Sequence, residues 1–442
     1  MNRNDFLNDL INILKIDSVL DEFNPNSVYP FGKKCDKALK FMLKLGEENG
    51  FKVYNASNYA GHIEYGSGEE IIGILCHLDV VPAIGNWTNP PFEPVIKDNL
   101  IYARGAIDDK GPLMAAFYAL KELKEENVKI NKRVRLIFGL DEESGSRCIK
   151  KYLEECEMPN YAFSPDADFP LINGEKGIAS FDIISKYENK DVLLFESGDR
   201  YNVVPDLAKV KLNKNLKKEF LDYLNKNNLK GNVIDDEYLI YGKSSHAMIP
   251  EKGINAISLM VDFLKDYVED EFINYLDNYL TNSIYGNKLN VEYENNKLGK
   301  LTINLANIRY SKKGLKIGLN IRYPEIDYDL EVLSALKKTS APYELDVFIK
   351  DQAKPLYIPE DDILVKTLLK AYNDVTNENG KAFTIGGGTY SKSLQKCVAF
   401  GALMPGKEDM CHKVDEYANI DDLIKASKIY KKAIEGLGEL WD

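Results

Sequence analysis

The sequence predicts an α/β protein whose first domain is interrupted by an α+β insert and then completed. Three observations predict this. Apolar runs at 71–75, 134–138 and 161–163 alternate with segments of helical periodicity, the pattern of a parallel or mixed sheet covered by helices. From about Gly177 the texture changes: Lys, Asn and Tyr become frequent, and the runs at 301–308 and 315–321 alternate as antiparallel strands do. From about Pro355 helical patterning resumes. The expected division is a catalytic first part at 1–176, an insert at 177–354 and a second part at 355–442.

The elements follow in order. Phe6, Leu7, Leu10, Ile11 and Leu14 share one helical face within 5–15. Leu39, Met42, Leu43 and Leu45 do the same within 36–49, and Gly50 is a suitable stop. The run 71–75 reads as a buried strand that delivers His77 at its end. Pro90, Pro91 and Pro94 hold the next segment extended. Asp108-Asp109-Lys110-Gly111-Pro112 opens a helix of about 15 residues rich in Ala and Leu. The strand at 134–138 runs into Asp141-Glu142-Glu143, and the one at 161–163 runs into Pro165-Asp166. A helix over 254–267 is expected in the insert, and helices over 363–372 and 423–434 close the chain. Sites in such sheets form at the carboxyl ends of strands, where His77, Glu142, Glu143 and Asp166 all fall.

The net charge of −12 argues against nucleic acid as a partner, since phosphate binding needs a basic face. Part of the acid excess is expected inside a cation site. No apolar run approaches the ~20 residues that span a bilayer, so no membrane partner is expected. The N-terminus leads into an amphipathic pattern without an apolar core, so no signal peptide is expected. The six cysteines form no CxxC pair and read as reduced thiols of a cytoplasmic protein.

Only four histidines occur, and three stand in motif-like segments: Cys76-His77-Leu78-Asp79, Ser245-His246-Ala247 and Cys411-His412-Lys413. His62 reads as incidental. A neutral imidazole with carboxylates suits Zn, Mn or Co. A two-metal site needs one carboxylate to bridge, and a base must stay free of metal. The chain offers His77, Asp108, Glu143, Asp166 and His412 as ligands, with Glu142 left as base. Adjacent side chains at a strand end diverge, so Glu142 and Glu143 can take different tasks. Asp79, two residues after His77, is placed to accept the other ring N–H and fix the tautomer. Asp108 also suits a helix cap. Asp109 reads as structural, and Asp168 competes with Asp166. Cys76 and Cys411 read as buried hydrophobes. Gly386-Gly387-Gly388 lacks the pattern of a phosphate loop.

These segments, with Gly105–Gly111, Asp141–Gly145, Tyr201–Pro205, Ile321–Pro324 and Gly386–Tyr390, resemble the co-catalytic metallopeptidase family of aminoacylases and carboxypeptidase G. The likeness runs over essentially the whole chain and is greatest to the PepV-type dipeptidases, on Ser164–Pro170 and Gly386–Tyr390. The resemblance implies a zinc-peptidase-like catalytic domain with an inserted α+β lid folded as two related halves. It implies two divalent metals, zinc or manganese with cobalt as a further candidate. Asp108 would bridge them, His77 and Asp166 would complete one site, and Glu143 and His412 the other. Glu142 would be the general base, and His246 would polarise the scissile carbonyl. Asn202 and Arg322 would bind the substrate carbonyl or carboxylate, and Gly387 and Gly388 would line the pocket. An aspartate at 166 resembles the members that require a free amino end. The expectation is a monomeric dipeptidase taking small peptides. The alternatives are an N-acyl amino acid deacylase of the same family and a silent metal- or peptide-binding protein.

Overall fold

The computed structural model describes residues 1–186 and 190–440. The chain forms two compact units: residues 1–173, 358–383 and 389–442 make the first, and residues 174–357 with 384–388 the second.

The first unit is built on a mixed sheet. Strands Lys52–Ala56, Ala60–Gly66, Arg133–Gly139, Ile71–His77, Tyr161–Ser164 and Cys397–Ala399 lie side by side in that order. The first two pairings are antiparallel, and the remaining three are parallel. Every residue of Ile71–His77 is buried, as expected for a strand covered on both faces. That strand sits between Arg133–Gly139 and Tyr161–Ser164, so the crossovers on its two sides open a crevice at the carboxyl ends. His77 closes one strand, Glu142 follows a second, and Asp166 follows a third.

Helix Lys110–Glu125 begins immediately after Asp108-Asp109 and buries nearly all of its first three turns. Its start approaches the preceding turn so closely that a Cβ on Gly111 would lie 2.0 Å from the Ala106 carbonyl oxygen. Only glycine fits there, and this contact holds the Asp108 turn against the helix. Helix Ile420–Gly438, capped by Asn419, and helix Arg3–Leu14 pack on Lys110–Glu125.

The second unit is an eight-stranded antiparallel sheet. Its order is Lys230–Ile234, Glu237–Tyr241, Leu207–Leu212, Val192–Ser197, Thr302–Ser311, Gly314–Tyr323, Gly177–Ser185, Asp346–Ala353. Helices Lys217–Lys226, Ala256–Leu264 and Tyr328–Ser340 cover its apolar face, where Phe181, Ile317, Leu319 and Ile321 join one core. The helix expected over 254–267 spans only Ala256–Leu264. Asn255 accepts from Ile257 N and Ser258 N and so fixes the start, a capping choice that apolar periodicity does not register. Mixed sheet with helices and an antiparallel insert together make the α/β fold that the sequence predicts.

Among the described residues, no helix is long and apolar enough to cross a membrane.

Candidate functional site

Six of the residues singled out in the sequence meet in the first unit. His77 is fully buried. Its Nδ1 bonds the backbone carbonyl of Asp79 at 2.9 Å, which puts the ring proton on Nδ1. Its Nε2 is the ring nitrogen turned toward the carboxylates. That nitrogen lies 2.9 Å from Asp108 Oδ1 and 3.7 Å from Asp166 Oδ2, yet makes no hydrogen bond. The other oxygen of Asp108, Oδ2, lies 2.9 Å from His412 Nε2, which is also 3.0 Å from Glu143 Oε2. One carboxylate thus serves two imidazoles, one oxygen each. Ligand atoms of His77, Asp108 and Glu143 fall within 4.8 Å of one another, as do those of His77, Glu142 and Asp166. Neither Cys76 nor Cys411 joins these groups.

The site is short of positive charge. Burial pushes Glu142 up to about 8. Burial, reinforced by the charge on Asp108, raises Asp166 and Glu143 as well. Hydrogen bonds to Asp108 and Glu143 lift His412 to about 10. Asp108 goes the other way: contacts to His412 and His77 outweigh its burial and hold it below the usual carboxylate range. The carboxylates around His77 outweigh its burial and raise it well above its ordinary value, so a positive charge is favoured at Nε2, whether a proton or a metal ion. The donor set, two imidazoles and four carboxylates, fits borderline divalent ions.

Asp79 corrects the sequence expectation. Its carboxylate does not hold the His77 ring; Oδ1 stands 3.5 Å from Nδ1, and the backbone carbonyl takes the proton instead. The two carboxylate oxygens accept the backbone N–H groups of Glu142 and Glu143, each at 3.1 Å. Two converging N–H donors draw the carboxylate away from the ring. Asp109 is structural, as expected, and accepts from His77 N at 3.1 Å. Asp141 accepts from Ser144 Oγ, Arg147 N, Arg147 Nε and Arg147 Nη2 and closes the loop that carries Glu142 and Glu143.

Glu416 stands in no pattern that singles it out. It is fully buried and accepts from Gly105 N at 3.1 Å, Ile107 N at 3.0 Å, Asp108 N at 3.3 Å and Arg104 Nη1 at 2.6 Å. It ties the turn carrying Asp108 to the loop carrying His412. The one available signal is a carboxylate four residues after His412. His62 is buried away from these residues, with Nδ1 2.8 Å from Tyr152 Oη.

The remaining candidates lie in the second unit. His246 sits on strand Ser245–His246, opposite Val203. Its Nδ1 accepts from Met248 N at 3.2 Å, so the ring proton resides on Nε2. Burial and the nearby Arg322 lower its pKa and keep it neutral. Asn202 precedes the paired strand, and its carbonyl accepts from Ala247 N at 2.9 Å. Arg322 is 3% exposed. Its Nε donates to Asn320 Oδ1 at 2.8 Å, and Nη1 lies 3.5 Å from the Gly386 carbonyl. No carboxylate pairs with it among the described residues, and burial alone lowers it to about 10. Gly387 is buried with Met248 Sδ 3.5 Å from where its Cβ would be, and Gly388 is exposed.

The model of peptidase family M20/M25/M40 matches residues 73–436. The chain is 42% identical over 456 residues to the putative dipeptidase YtjP of Bacillus subtilis (strain 168), covering 99% of this chain and 98% of that protein. Two solved structures are similar in fold. Aminopeptidase PepT from Bacillus cereus ATCC 10987 has 16% identity and a TM-score of 0.63, over 99% of this chain and 100% of that one. Human carnosine dipeptidase 1 has 14% identity and a TM-score of 0.60, over 99% and 97%.

Proposed function

The chain belongs to peptidase family M20/M25/M40, and from that premise we propose that it is a metal-dependent dipeptidase acting on dipeptides with a free N-terminus. The observation that carries the reading is Asp108, whose two oxygens lie 2.9 Å from His77 Nε2 and from His412 Nε2. Beside it stands Glu142, half-buried and raised toward neutrality, with a carboxylate oxygen grouped with His77 and Asp166. In this reading His77, Asp166 and Asp108 would hold one divalent ion, and Glu143, His412 and Asp108 the other. Zinc and manganese both suit these ligands.

When bound, such a pair supplies Lewis acidity, activating water and polarising the scissile carbonyl. Glu142 takes the proton of the attacking water and returns it to the leaving amine. Burial favours this, because a carboxylate held near neutrality can both accept and donate. His246 is a neutral donor through Nε2–H and stabilises the developing oxyanion. Asn202 binds the substrate carbonyl, and Gly387 and Gly388 present backbone groups to it. Arg322, buried without a carboxylate partner, takes the C-terminal carboxylate. The free-amine requirement rests on the aspartate at 166 and on the likeness to YtjP.

The six cysteines are unpaired, which supports a cytoplasmic site of action. We also expect a monomer, and a stable dimer mass in sedimentation would remove that expectation. The deciding experiment strips metal, adds back Mn, Zn or Co, and offers dipeptides paired with their N-acetyl forms. Metal-dependent cleavage of the free-amine forms alone is the expected result. Cleavage of the acetylated forms alone would replace the reading with a deacylase, and no turnover with any metal would leave a binding protein.

A further inference from the structure

The face of the second unit's sheet opposite its apolar core carries buried polar side chains that none of the assigned roles explains. Strand Gly314–Tyr323 turns Leu315, Ile317, Leu319 and Ile321 into the core and Asn320 and Arg322 to the other side. The register sets Asn320 opposite Asn304 on one neighbour and opposite Ser180 on the other. Exposure is 2% for Asn320, 1% for Asn304, 6% for Ser180 and 3% for Arg322. Buried groups of this kind persist only where their hydrogen bonds do something that an apolar side chain would not.

The bonds form two linked anchors. Ser180 Oγ accepts from Asn320 Nδ2 at 3.1 Å, which fixes the amide so that Oδ1 faces Arg322 and accepts from its Nε at 2.8 Å. Asn304 Nδ2 donates to the carbonyls of Tyr201, at 3.1 Å, and Val203, at 2.9 Å, the two residues flanking Asn202. Strand Val203–Val204 in turn pairs with Ser245–His246. Two asparagines facing each other across one ladder therefore hold Arg322, Asn202 and His246.

We propose that Asn320 and Asn304 are positioning residues for substrate recognition: Asn320 aims the Arg322 guanidinium at the substrate's C-terminal carboxylate, and Asn304 anchors the segment that carries Asn202 and His246. The inference rests on the reading of Arg322 as the carboxylate receptor. Its physical core is the neutrality of Asn320. A carboxylate at 320 would hold the guanidinium as well, but would neutralise it and compete with the substrate. A neutral acceptor orients Nε and leaves the charge, and the remaining N–H donors, for the ligand.

Asn320→Asp tests this because stability and recognition should move apart. The variant gains a buried ion pair, so its melting temperature should hold or rise. Its KM for a dipeptide should rise at least about tenfold, the scale of one charge-assisted hydrogen bond. KM for the matching dipeptide amide, which lacks the carboxylate, should stay within about twofold. Arg322→Met sets the limit of acid-over-amide discrimination. Asn304→Leu should lower kcat on acid and amide alike while leaving acid-over-amide discrimination in KM unchanged. Bound metal, read by atomic emission, should stay at the wild-type level in every variant. Equal loss on acid and amide in Asn320→Asp, or an unchanged KM for the acid, overturns the role of Asn320. If Arg322→Met raises KM for the acid selectively and Asn320→Asp does not, only the relay falls. If Arg322→Met raises KM for acid and amide alike, or for neither, the carboxylate reading falls and takes the relay with it. A selective KM effect, or no effect, in Asn304→Leu overturns the second anchor.

Discussion

Replacing Asp79 with asparagine separates two ways in which that residue could serve the site. Asp79 is fully buried, and its oxygens accept the backbone N–H groups of Glu142 and Glu143, each at 3.1 Å. The amide of Asp79→Asn would keep one acceptor and turn an NH2 toward the other N–H, donor against donor. The lost bond to a charged acceptor is worth about 1.5–3 kcal/mol, and the orphaned N–H costs about 1–3 kcal/mol more. The turn relieves part of this by moving, and Glu142 moves with it. If about 1.4–2.8 kcal/mol of this reaches the transition state, kcat falls some 10- to 100-fold, at ~1.4 kcal/mol per factor of ten.

The tautomer of His77 should survive, because its partner is the Asp79 backbone carbonyl, which the substitution keeps. The assay is steady-state hydrolysis of a free-amine dipeptide at saturating metal, with bound metal measured in parallel. The expected result is a lower kcat, a KM within about threefold and a metal content close to wild type. Full kcat restored by high metal would show that Asp79 acts on metal retention through His77, and the argument from the Glu142-Glu143 turn would be wrong. Activity within twofold of wild type at all metal concentrations would refute both.

Three further outcomes are expected. Glu142→Gln should keep its metals and lose at least ~10²-fold in kcat, the usual share of a general base; an active variant would remove Glu142 from that role. Glu416→Ala leaves Arg104 and three backbone N–H donors without their acceptor, so chemical denaturation should show a loss of about 3–5 kcal/mol; a loss under 1 kcal/mol would mean that the clamp does not hold. His62 is lowered to about 3 by burial, helped by Arg135 and Arg133. The unfolded chain binds a proton near pH 6.5 and the folded one does not, so stability should fall as pH drops from about 6.5 toward 3. Between pH 6.5 and 5 this amounts to about 2 kcal/mol. His62→Asn should flatten that slope, and an unchanged slope in unfolding free energy would exclude His62 as its source.

The residues legible in the sequence are those that end apolar runs. His77, Glu142 and Asp166 each follow a strand of the parallel part of the sheet, so periodicity alone marks where they emerge. Asp79 is legible as a helper, but which of its oxygens meets His77 depends on the path of the 141–143 turn, a tertiary matter. Glu416 lies in the polar stretch Lys413-Val414-Asp415-Glu416, where nothing in spacing distinguishes a buried acid from a solvated one. Asn304 and Asn320 sit at alternate positions of amphipathic strands. Such positions read as solvent-facing, because alternation reports that two faces differ and not what covers the second. Both are buried.

The first unit packs many carboxylates together, and hydrogen bonding decides which of them are available to a cation. Asp79, Asp141 and Glu416 are the saturated ones: each accepts several protein N–H or O–H groups, the turn amides for Asp79, Ser144 and Arg147 for Asp141, and Arg104 with three amides for Glu416. Asp109 is intermediate, with one oxygen on His77 N and the other without a hydrogen-bond partner among the described residues. Asp108, Glu142, Glu143 and Asp166 accept no backbone N–H among the described residues, and their only close cationic neighbours are His77 and His412. A carboxylate already holding two or more donors gains less from a metal, since its lone pairs are spent and its charge is partly compensated. One that holds none, such as Glu142 or Asp166, keeps its lone pairs for a cation and gains the most. The same reasoning resolves the adjacent pair at 108–109. Asp109 is tied to the backbone of His77 while Asp108 keeps one oxygen for each histidine, so sequence neighbours take opposite parts. The four unsaturated carboxylates are the three acidic ligands proposed for the metals and the base proposed beside them. Glu142 is the one with no histidine against it, which leaves it free for a proton.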